Sequence, residues 1–134
     1  MKLWRGKGDG REMTVVIMGA SANPKRYAHK AQTMLMEQGH VPIPISLSGD
    51  PILGVAGYSA IEGIPDEERP VDTVTVYLRP ERFSGMKNEV KRLSPRRVIF
   101  NPGTEDPILA EDFRQEGIEV VEACTLVLLS LGQF

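Results

Sequence analysis

A glycine turn after the first apolar run carries residues suited to binding an anion. The stretch "VVIMGASANPKRY" (15–27) passes from apolar residues into Gly19, two short polar side chains and two adjacent cations that include Arg26. Glycine lets the backbone bend close to a ligand, and a helix that begins beside the turn directs free N–H groups at an anion. The pattern favours a bound phosphate. A plain strand-to-helix turn capped by Ser21 or Asn23 would explain the same residues.

The turn matches none of three well-known site motifs. It has no Gly-Lys-Ser/Thr of a Walker loop, and Ser21 and Pro24 occupy the second and third glycine positions of G-x-G-x-x-G. A nucleophile elbow would need glycine where this chain has Asn23. What the turn could bind must therefore be judged from the loops around it.

The end of the second apolar run bears on the choice of nucleotide. A dinucleotide site carries an acidic residue there to hold the ribose, whereas this chain has Ser46, Leu47 and Ser48, with Asp50 farther along. We therefore expect the ribose carboxylate to be missing. Serines would tolerate an extra ribose phosphate that a carboxylate repels, which leaves NADP and coenzyme A as candidate ligands.

Short apolar runs alternate with amphipathic segments along the chain. Strands are predicted at 14–18, 41–45, 72–78, 97–100 and 118–121, and helices at 25–38, after Pro80, at 105–116 and from about 123. Pro42 and Pro44 place the second strand at or near a sheet edge, and Pro24 suits the first helical turn. Residues 46–70 predict only one helical turn or a short edge strand. This alternation predicts an α/β, Rossmann-like, doubly wound three-layer sandwich with a mainly parallel sheet of five to six strands.

In such a sheet, ligands bind outside the carboxyl ends of the strands. Four loops end strands at that rim: "GASANP", "SLSGD", "LRPE" and "NPGTE". Arg79 in the third loop can reach an anion or pair with a nearby glutamate, Glu81 or Glu105. The fourth loop predicts a type II turn with Pro102 and Gly103 at its centre, followed by a helix capped by Thr104.

Composition sets further limits on function. The chain has 134 residues with 16 basic and 18 acidic side chains, a net charge of -2, which gives no basic field for binding nucleic acid. One cysteine and two histidines are too few for a typical structural zinc site. The start of the chain has no apolar run and the final one is too short to span a bilayer, so we expect a cytoplasmic protein with no membrane partner. Residues 1–12 form a polar lead-in and 13–134 a single domain.

Three segments in this order resemble a known family. "VVIMGASANPKRY", "VYLRPE" and "NPGTE" are similar to the small stand-alone CoA-binding domain proteins, which are similar in turn to the nucleotide-binding part of the succinyl-CoA synthetase α subunit. The resemblance extends from residue 13 to about 130. It implies a Rossmann-like fold that binds coenzyme A or an acyl-CoA.

The resemblance also implies which residues surround the nucleotide. A phosphate turn would be formed by Gly19, Ala20, Ser21, Asn23 and Pro24, flanked by Arg26 and Tyr27. Ser46 would lie at the adenosine side, where this chain departs from the family's usual Val-Asn-Pro. The nucleotide would be bordered by Tyr77, Leu78, Arg79 and Pro80, and the pantetheine arm would pass a far wall of Asn101, Pro102 and Gly103.

The family likeness supplies no reaction, because synthetase catalysis depends on a phosphorylated histidine in a separate domain. Cys124 falls at the start of the last predicted helix, where the helix dipole would favour a reactive thiol and a mixed disulfide with CoA; a small buried apolar residue is the more ordinary role. The leading hypothesis is a CoA-binding protein without its own catalytic groups. The alternatives are an NADP-binding or acyl-CoA-handling enzyme subunit and a nucleotide-sensing regulatory module, with a homodimer or a protein partner left open.

Overall fold

Five parallel strands form one sheet in the computed structural model, which describes residues 12–134. The predicted lead-in therefore lies, except for Glu12, outside the described residues. The strands are β1 (Thr14–Met18), β2 (Val41–Ile45), β3 (Thr73–Val76), β4 (Arg97–Phe100) and β5 (Glu119–Glu122). Their order is β2-β1-β3-β4-β5, and every neighbouring pair is parallel. The α/β, Rossmann-like prediction is confirmed.

Helices cover both faces of this sheet. They are α1 (Tyr27–Glu37), α2 (Pro80–Phe83), α3 (Lys87–Leu93), α4 (Pro107–Gln115) and α5 (Thr125–Ser130). Because side chains alternate along a strand, Val16 and Met18 of β1 pack into the buried cluster that includes α2, α3 and α4. Val15 and Ile17 pack into the cluster with α1 and α5. Burial on both faces explains why β1 is a nearly continuous apolar run.

The edge position predicted for β2 is confirmed. β2 pairs with β1 on one side only, and its outer side meets a single backbone segment. There the Tyr58 N–H donates to the Pro44 carbonyl (3.0 Å) and the Ser46 N–H donates to the Tyr58 carbonyl (3.1 Å). The prolines, which lack an N–H, are tolerated because this outer edge needs few donors from β2. Between 46 and 70 the structure has single 3₁₀ turns at Ile61–Gly63 and Asp66–Glu68.

The first helix begins later than the sequence predicts. Pro24 lies outside α1, which starts at Tyr27, because local bonds close a separate turn first. The Asn23 side-chain oxygen accepts from the Lys25 N–H (3.0 Å), and the Asn23 carbonyl accepts from the Arg26 N–H (3.0 Å). Neither Ser21 nor Asn23 caps the helix; Arg26 occupies that position without a side-chain cap bond.

The turn after β4 is as predicted, but the helix cap is not. The Thr104 N–H donates to the Asn101 carbonyl (3.0 Å) and Gly103 has φ +91°, as a type II turn requires. The Thr104 hydroxyl also donates to that carbonyl (2.7 Å), so Thr104 is not the cap. Instead the Asp106 carboxylate accepts from the Leu109 N–H (3.1 Å).

The segment after β3 forms two short helices separated by a 3₁₀ turn. One helix is predicted after Pro80, and the structure has α2, a 3₁₀ turn at Ser84–Met86 and then α3. Phe83 of α2 packs edge-on against Phe100 of β4, with ring centroids 5.9 Å apart, and lies 6.3 Å from the ring of Phe113. This aromatic contact fixes α2 at the carboxyl end of the sheet.

At the opposite end of the sheet, His40 makes the stability of the fold depend on pH. Its Nδ1 accepts from the Met13 N–H (3.2 Å), which requires an unprotonated Nδ1, and its ring lies 5.5 Å from the Phe134 ring. Burial lowers the pKa of His40, outweighing the attraction of Asp72 and Glu12. The folded state therefore binds fewer protons than the unfolded state as the pH falls below about 6.5, the ordinary histidine pKa.

We expect the free energy of unfolding to be greatest above that pH and to fall as the pH decreases through the lowered pKa. Urea titrations between pH 7.5 and about 5 would check this. The His40→Gln variant should lose less stability over the same interval. Equal losses in the two proteins would contradict the assignment to His40.

Candidate functional site

A crevice of about 680 Å³ opens at the carboxyl ends of β1, β2 and β3. The chain goes from β1 to β2 on one side and then crosses to β3 on the other, so strand order reverses at β1. This is where doubly wound sheets bind ligands. The lining residues after β1 are Gly19, Ala20, Ser21, Ala22, Arg26, Tyr27 and Ala28; those after β2 are Ser46, Leu47, Ser48, Asp50, Ile52 and Ser59; those after β3 are Tyr77, Leu78, Arg82 and Met86.

Gly19 permits the close approach of β1 and β3 at the floor of the crevice. Its φ is +90°, and a Cβ there would lie 3.0 Å from Leu78 Cδ2 and 3.1 Å from the Tyr77 carbonyl oxygen. The N–H groups of Gly19 and Ala20 donate to the Ile45 carbonyl (3.1 and 2.9 Å). Gly19 therefore shapes the turn, but its own N–H is already bonded within the protein.

Backbone donors free for a ligand come after Gly19. In the described part of the chain, no hydrogen bond engages the N–H groups of Ser21, Ala22, Tyr27 or Ala28. The Ser21 carbonyl accepts from Nδ1 of His29 (2.9 Å). Because C=O and N–H point in opposite directions across a trans peptide, the Ala22 N–H points away from His29.

Serine hydroxyls add further donors. Ser21 Oγ accepts from the Asn23 N–H (3.0 Å), Ser46 Oγ from the Gly49 N–H (3.2 Å) and Ser48 Oγ from the Asp50 N–H (3.2 Å). Each oxygen is thus used as an acceptor, which leaves its O–H proton to be donated elsewhere. All three residues line the crevice. The wall therefore suits a ligand rich in acceptors.

Three charged residues line the crevice: Arg26, Arg82 and Asp50. Arg82 was missed by sequence reasoning, which chose Arg79 because Arg79 directly follows the strand. Asp50, which the sequence places a little beyond the end of the second strand, also lines the crevice. The loop after β2 folds back and returns Asp50 to the crevice.

Apolar side chains complete the walls. Tyr27 is 68% exposed and Leu47 is 79% exposed, so both present apolar surface at the mouth of the crevice. Leu78 and Met86 lie on the β3 side and are partly buried against the core. Flat apolar surface and anion donors therefore occur in the same crevice.

Tyr77 connects the crevice wall to a buried polar cluster. Its hydroxyl is buried near Thr75 and Thr125 but forms a hydrogen bond with neither of them. Burial raises the pKa of Tyr77 to about 12. Cys124, which is half-buried and immediately precedes α5, does not line the crevice. The hydroxyls of Thr75 and Thr125 are 2.8 Å apart.

The predicted far wall is not part of the crevice lining. Asn101 is buried, and its amide donates to Thr75 Oγ1 (2.7 Å) and to the Val76 carbonyl (2.9 Å). Its side-chain oxygen accepts from the Thr125 N–H (2.8 Å), which ties α5 to the sheet. Pro102 and Gly103 are exposed beyond it. The role of Asn101 in this structure is internal.

Four other predicted residues stand at the rim without lining the crevice: Asn23, Pro24, Arg79 and Pro80. Arg79 precedes α2 and is exposed, and within residues 12–134 it forms no ion pair with Glu81 or Glu105. Over the same residues, no group of three or more His, Cys, Asp or Glu side chains could hold a metal ion. None of the described helices is long and apolar enough to cross a bilayer.

Comparison with known proteins agrees with this arrangement. Residues 13–130 match the CoA binding domain family. The chain belongs to this family. A relative, the uncharacterized protein YneT of Bacillus subtilis (strain 168), is 29% identical over 79 residues, 59% of this chain and 56% of the relative. The match therefore spans little more than half of that relative's length.

Several solved structures share the fold of this chain. A crystal structure of an uncharacterized protein is 39% identical with a TM-score of 0.84, covering 92% of this chain and 99% of that chain. A Thermus thermophilus structure is 27% identical with a TM-score of 0.80, covering 91% and 90%. The dinucleotide forming acetyl-coenzyme A synthetase 1 of Ca. Korarchaeum cryptofilum, in complex with phosphate and ADP, is 18% identical with a TM-score of 0.69, covering 82% and 25%. At 18% identity the last likeness shows the fold alone.

Proposed function

We propose that this protein binds coenzyme A or an acyl-CoA in the crevice and has no catalytic groups of its own. The pyrophosphate lies at the turn that follows Gly19. The observation that carries the proposal is that free N–H groups, serine hydroxyls and Arg26 all line one crevice where strand order reverses. Membership of the CoA binding domain family supports CoA as the nucleotide.

The pyrophosphate is bound by backbone donors that are already oriented. The N–H groups of Ser21 and Ala22, and those of Tyr27 and Ala28 at the start of α1, have no partner among the described residues. Hydrogen bonds to charged groups contribute roughly 1.5–3 kcal/mol each. Two or three such bonds contribute about 3–9 kcal/mol together, and a micromolar Kd corresponds to about 8 kcal/mol, so contacts of the rest of the nucleotide with the apolar walls supply part of the affinity.

The adenine and the pantetheine arm occupy the apolar walls. Tyr27 and Leu47 offer exposed surface beside the phosphate turn, and stacking of a base on an aromatic side chain contributes about 1–3 kcal/mol. The pantetheine arm runs along Leu78 and Met86 on the β3 side. A crevice of about 680 Å³ is within the usual range for small-molecule sites.

The biological role that fits is a cytoplasmic carrier, sensor or accessory subunit. A single half-buried cysteine suits a reducing compartment. A catalytic role would require a partner to supply the reacting groups. A mixed disulfide of Cys124 with CoA would require an oxidant to accept two electrons from the two thiols and a path to Cys124, which does not line the crevice.

Thermal unfolding with CoA, acetyl-CoA, NAD, NADP and ATP, side by side, tests the proposal. A ligand at about 100 times its Kd stabilises the folded state by about 2.7 kcal/mol, so CoA and acetyl-CoA should raise the Tm by several degrees while the other nucleotides raise it less. Stabilisation by NADP alone would favour the dehydrogenase-type alternative. No stabilisation by any of the five would rule the proposal out.

A further inference from the structure

His29, on the first turn of α1, reaches the turn that carries the free backbone donors. Its Nδ1 lies 2.9 Å from the Ser21 carbonyl oxygen, and because a carbonyl can only accept, Nδ1 donates the proton. Among the side chains of α1 that the structure describes, no other one forms a hydrogen bond with the turn at 20–25. This bond therefore ties the turn to the helix.

The helix gives His29 a fixed position. Ala28 and Leu35 of α1 pack into the core on that face of the sheet. The backbone of His29 is bonded on both sides, since its N–H donates to the Arg26 carbonyl (3.1 Å) and its carbonyl accepts from the Thr33 hydroxyl (3.1 Å). The imidazole thus extends to the turn from a rigid support.

The peptide group between Ser21 and Ala22 depends on this bond for its orientation. Residues 22–27 are exposed, and the local hydrogen bonds made by Asn23 do not engage this peptide group. Exposed backbone with few hydrogen bonds reorients easily. Rotation of the peptide would exchange the directions of its C=O and N–H, and so would turn a carbonyl oxygen, instead of a donor, toward an anion.

The free donors of the crevice form two sets. One set is the N–H groups of Ser21 and Ala22, the other is the N–H groups of Tyr27 and Ala28 at the start of α1, and all four residues line the crevice. A diphosphate can accept from both sets at once through its two phosphate groups, provided that the spacing of the sets matches its own. Because His29 belongs to α1 and holds the turn, its bond sets that spacing.

We propose that His29 is a positioning residue that makes this site select a diphosphate over a single phosphate. Its bond to the Ser21 carbonyl directs the Ala22 N–H at the ligand and holds the two sets of donors at the spacing a diphosphate requires. His29 does not line the crevice, so it acts through the turn. This inference rests on the proposed binding of a CoA-type nucleotide at the turn that follows Gly19.

The first test is the Kd for CoA, measured by calorimetry, in His29→Leu and His29→Asn. Leucine and asparagine branch alike at Cγ, but asparagine places an amide N–H where the imidazole has Nδ1. His29→Leu should bind CoA about three- to tenfold more weakly, the effect of losing one hydrogen bond, and His29→Asn should stay within about twofold of the wild type. Thr33→Val is the matched control, because it removes the other side-chain bond at His29 without affecting the turn, and it should leave the Kd unchanged.

The second test separates positioning from a general effect on α1. ADP and AMP differ by one phosphate, and their Kd values are measured by competition with CoA. The ratio of Kd for AMP to Kd for ADP should fall about threefold or more in His29→Leu and be kept in His29→Asn. A purely structural role of His29 would weaken both nucleotides equally and leave the ratio unchanged, which would overturn the proposal.

The remaining outcomes distinguish this inference from the proposed function. If the wild-type protein binds CoA and His29→Leu binds it equally well, or His29→Asn binds it as weakly as His29→Leu, the role of His29 is overturned while the proposed function stands. If the wild-type protein does not bind CoA, the proposed function itself is overturned. Thermal unfolding shows whether each variant is folded, and His29→Ala, which keeps a strong helix former at this half-buried position, gives the same comparison if His29→Leu does not fold.

Discussion

A Gly19→Ala variant should lose both stability and nucleotide binding. An L-residue at φ +90° is strained, which costs roughly 1–2 kcal/mol, and the new Cβ would lie 3.0–3.1 Å from Leu78 Cδ2 and the Tyr77 backbone. Relieving that contact must move either the end of β3 or the turn that carries the free N–H groups. We expect a loss of about 2–4 kcal/mol in the free energy of unfolding, and CoA binding at least tenfold weaker.

Gly117→Ala separates backbone strain from the steric contact. Gly117 also has positive φ, +82°, but a Cβ there would meet no atom within 4 Å. Urea denaturation of both variants should show the smaller loss for Gly117→Ala, with CoA affinity unchanged. If the two variants lose equal stability, the close approach of β1 to β3 does not restrict position 19.

The sheet was predictable because each strand is a short run of apolar or β-branched residues that ends at glycine, proline or a polar pair. Strands buried on both faces carry that signal in every residue, as "TVVIM" does. The edge position of β2 followed from Pro42 and Pro44, since a missing N–H is tolerated only where few partners exist. Such features depend on local composition, which the sequence displays directly.

Helix boundaries were less predictable because single hydrogen bonds decide them. Asn23 could cap α1 on residue type alone, yet its side chain closes an earlier turn on the Lys25 N–H. Thr104 and Asp106 are both acceptable caps, and the bond of the Thr104 hydroxyl to the Asn101 carbonyl settles the choice for Asp106. The free energies of these competing hydrogen bonds differ by about 1 kcal/mol or less. Residue preferences are too coarse to predict a difference that small.

The least predictable parts of the site depend on contacts distant in sequence. Asp50 reaches the crevice only because Gly57 lets the returning loop pass close to the Asp50 carbonyl. Arg82 faces the crevice because Phe83 beside it is fixed by Phe100 and Phe113, which orients the whole turn of α2. Sequence spacing places a residue after a strand, whereas packing decides which way its side chain points.

Arg82→Ala should weaken CoA binding by about tenfold or more, whereas Arg79→Ala should change it less than threefold. Both side chains are exposed, but Arg82 lines the crevice and Arg79 does not. A hydrogen bond to a charged phosphate contributes roughly 1.5–3 kcal/mol, which corresponds to about tenfold or more in Kd. Calorimetric titration with CoA at two salt concentrations measures both the affinity and its electrostatic part.

The pair is well matched, because the two arginines are three residues apart and neither guanidinium group forms a hydrogen bond or an ion pair within residues 12–134. The Arg79 carbonyl accepts from the N–H groups of Arg82 and Phe83 (both 3.0 Å), bonds that survive substitution by alanine. Arg82→Lys, which keeps the charge but not the planar fork of donors, should bind with intermediate affinity. A larger loss for Arg79→Ala than for Arg82→Ala would mean that α2 turns when the nucleotide binds and that Arg79, adjacent to β3, makes the phosphate contact. Equal, small losses would assign the phosphate to the backbone donors after Gly19 alone.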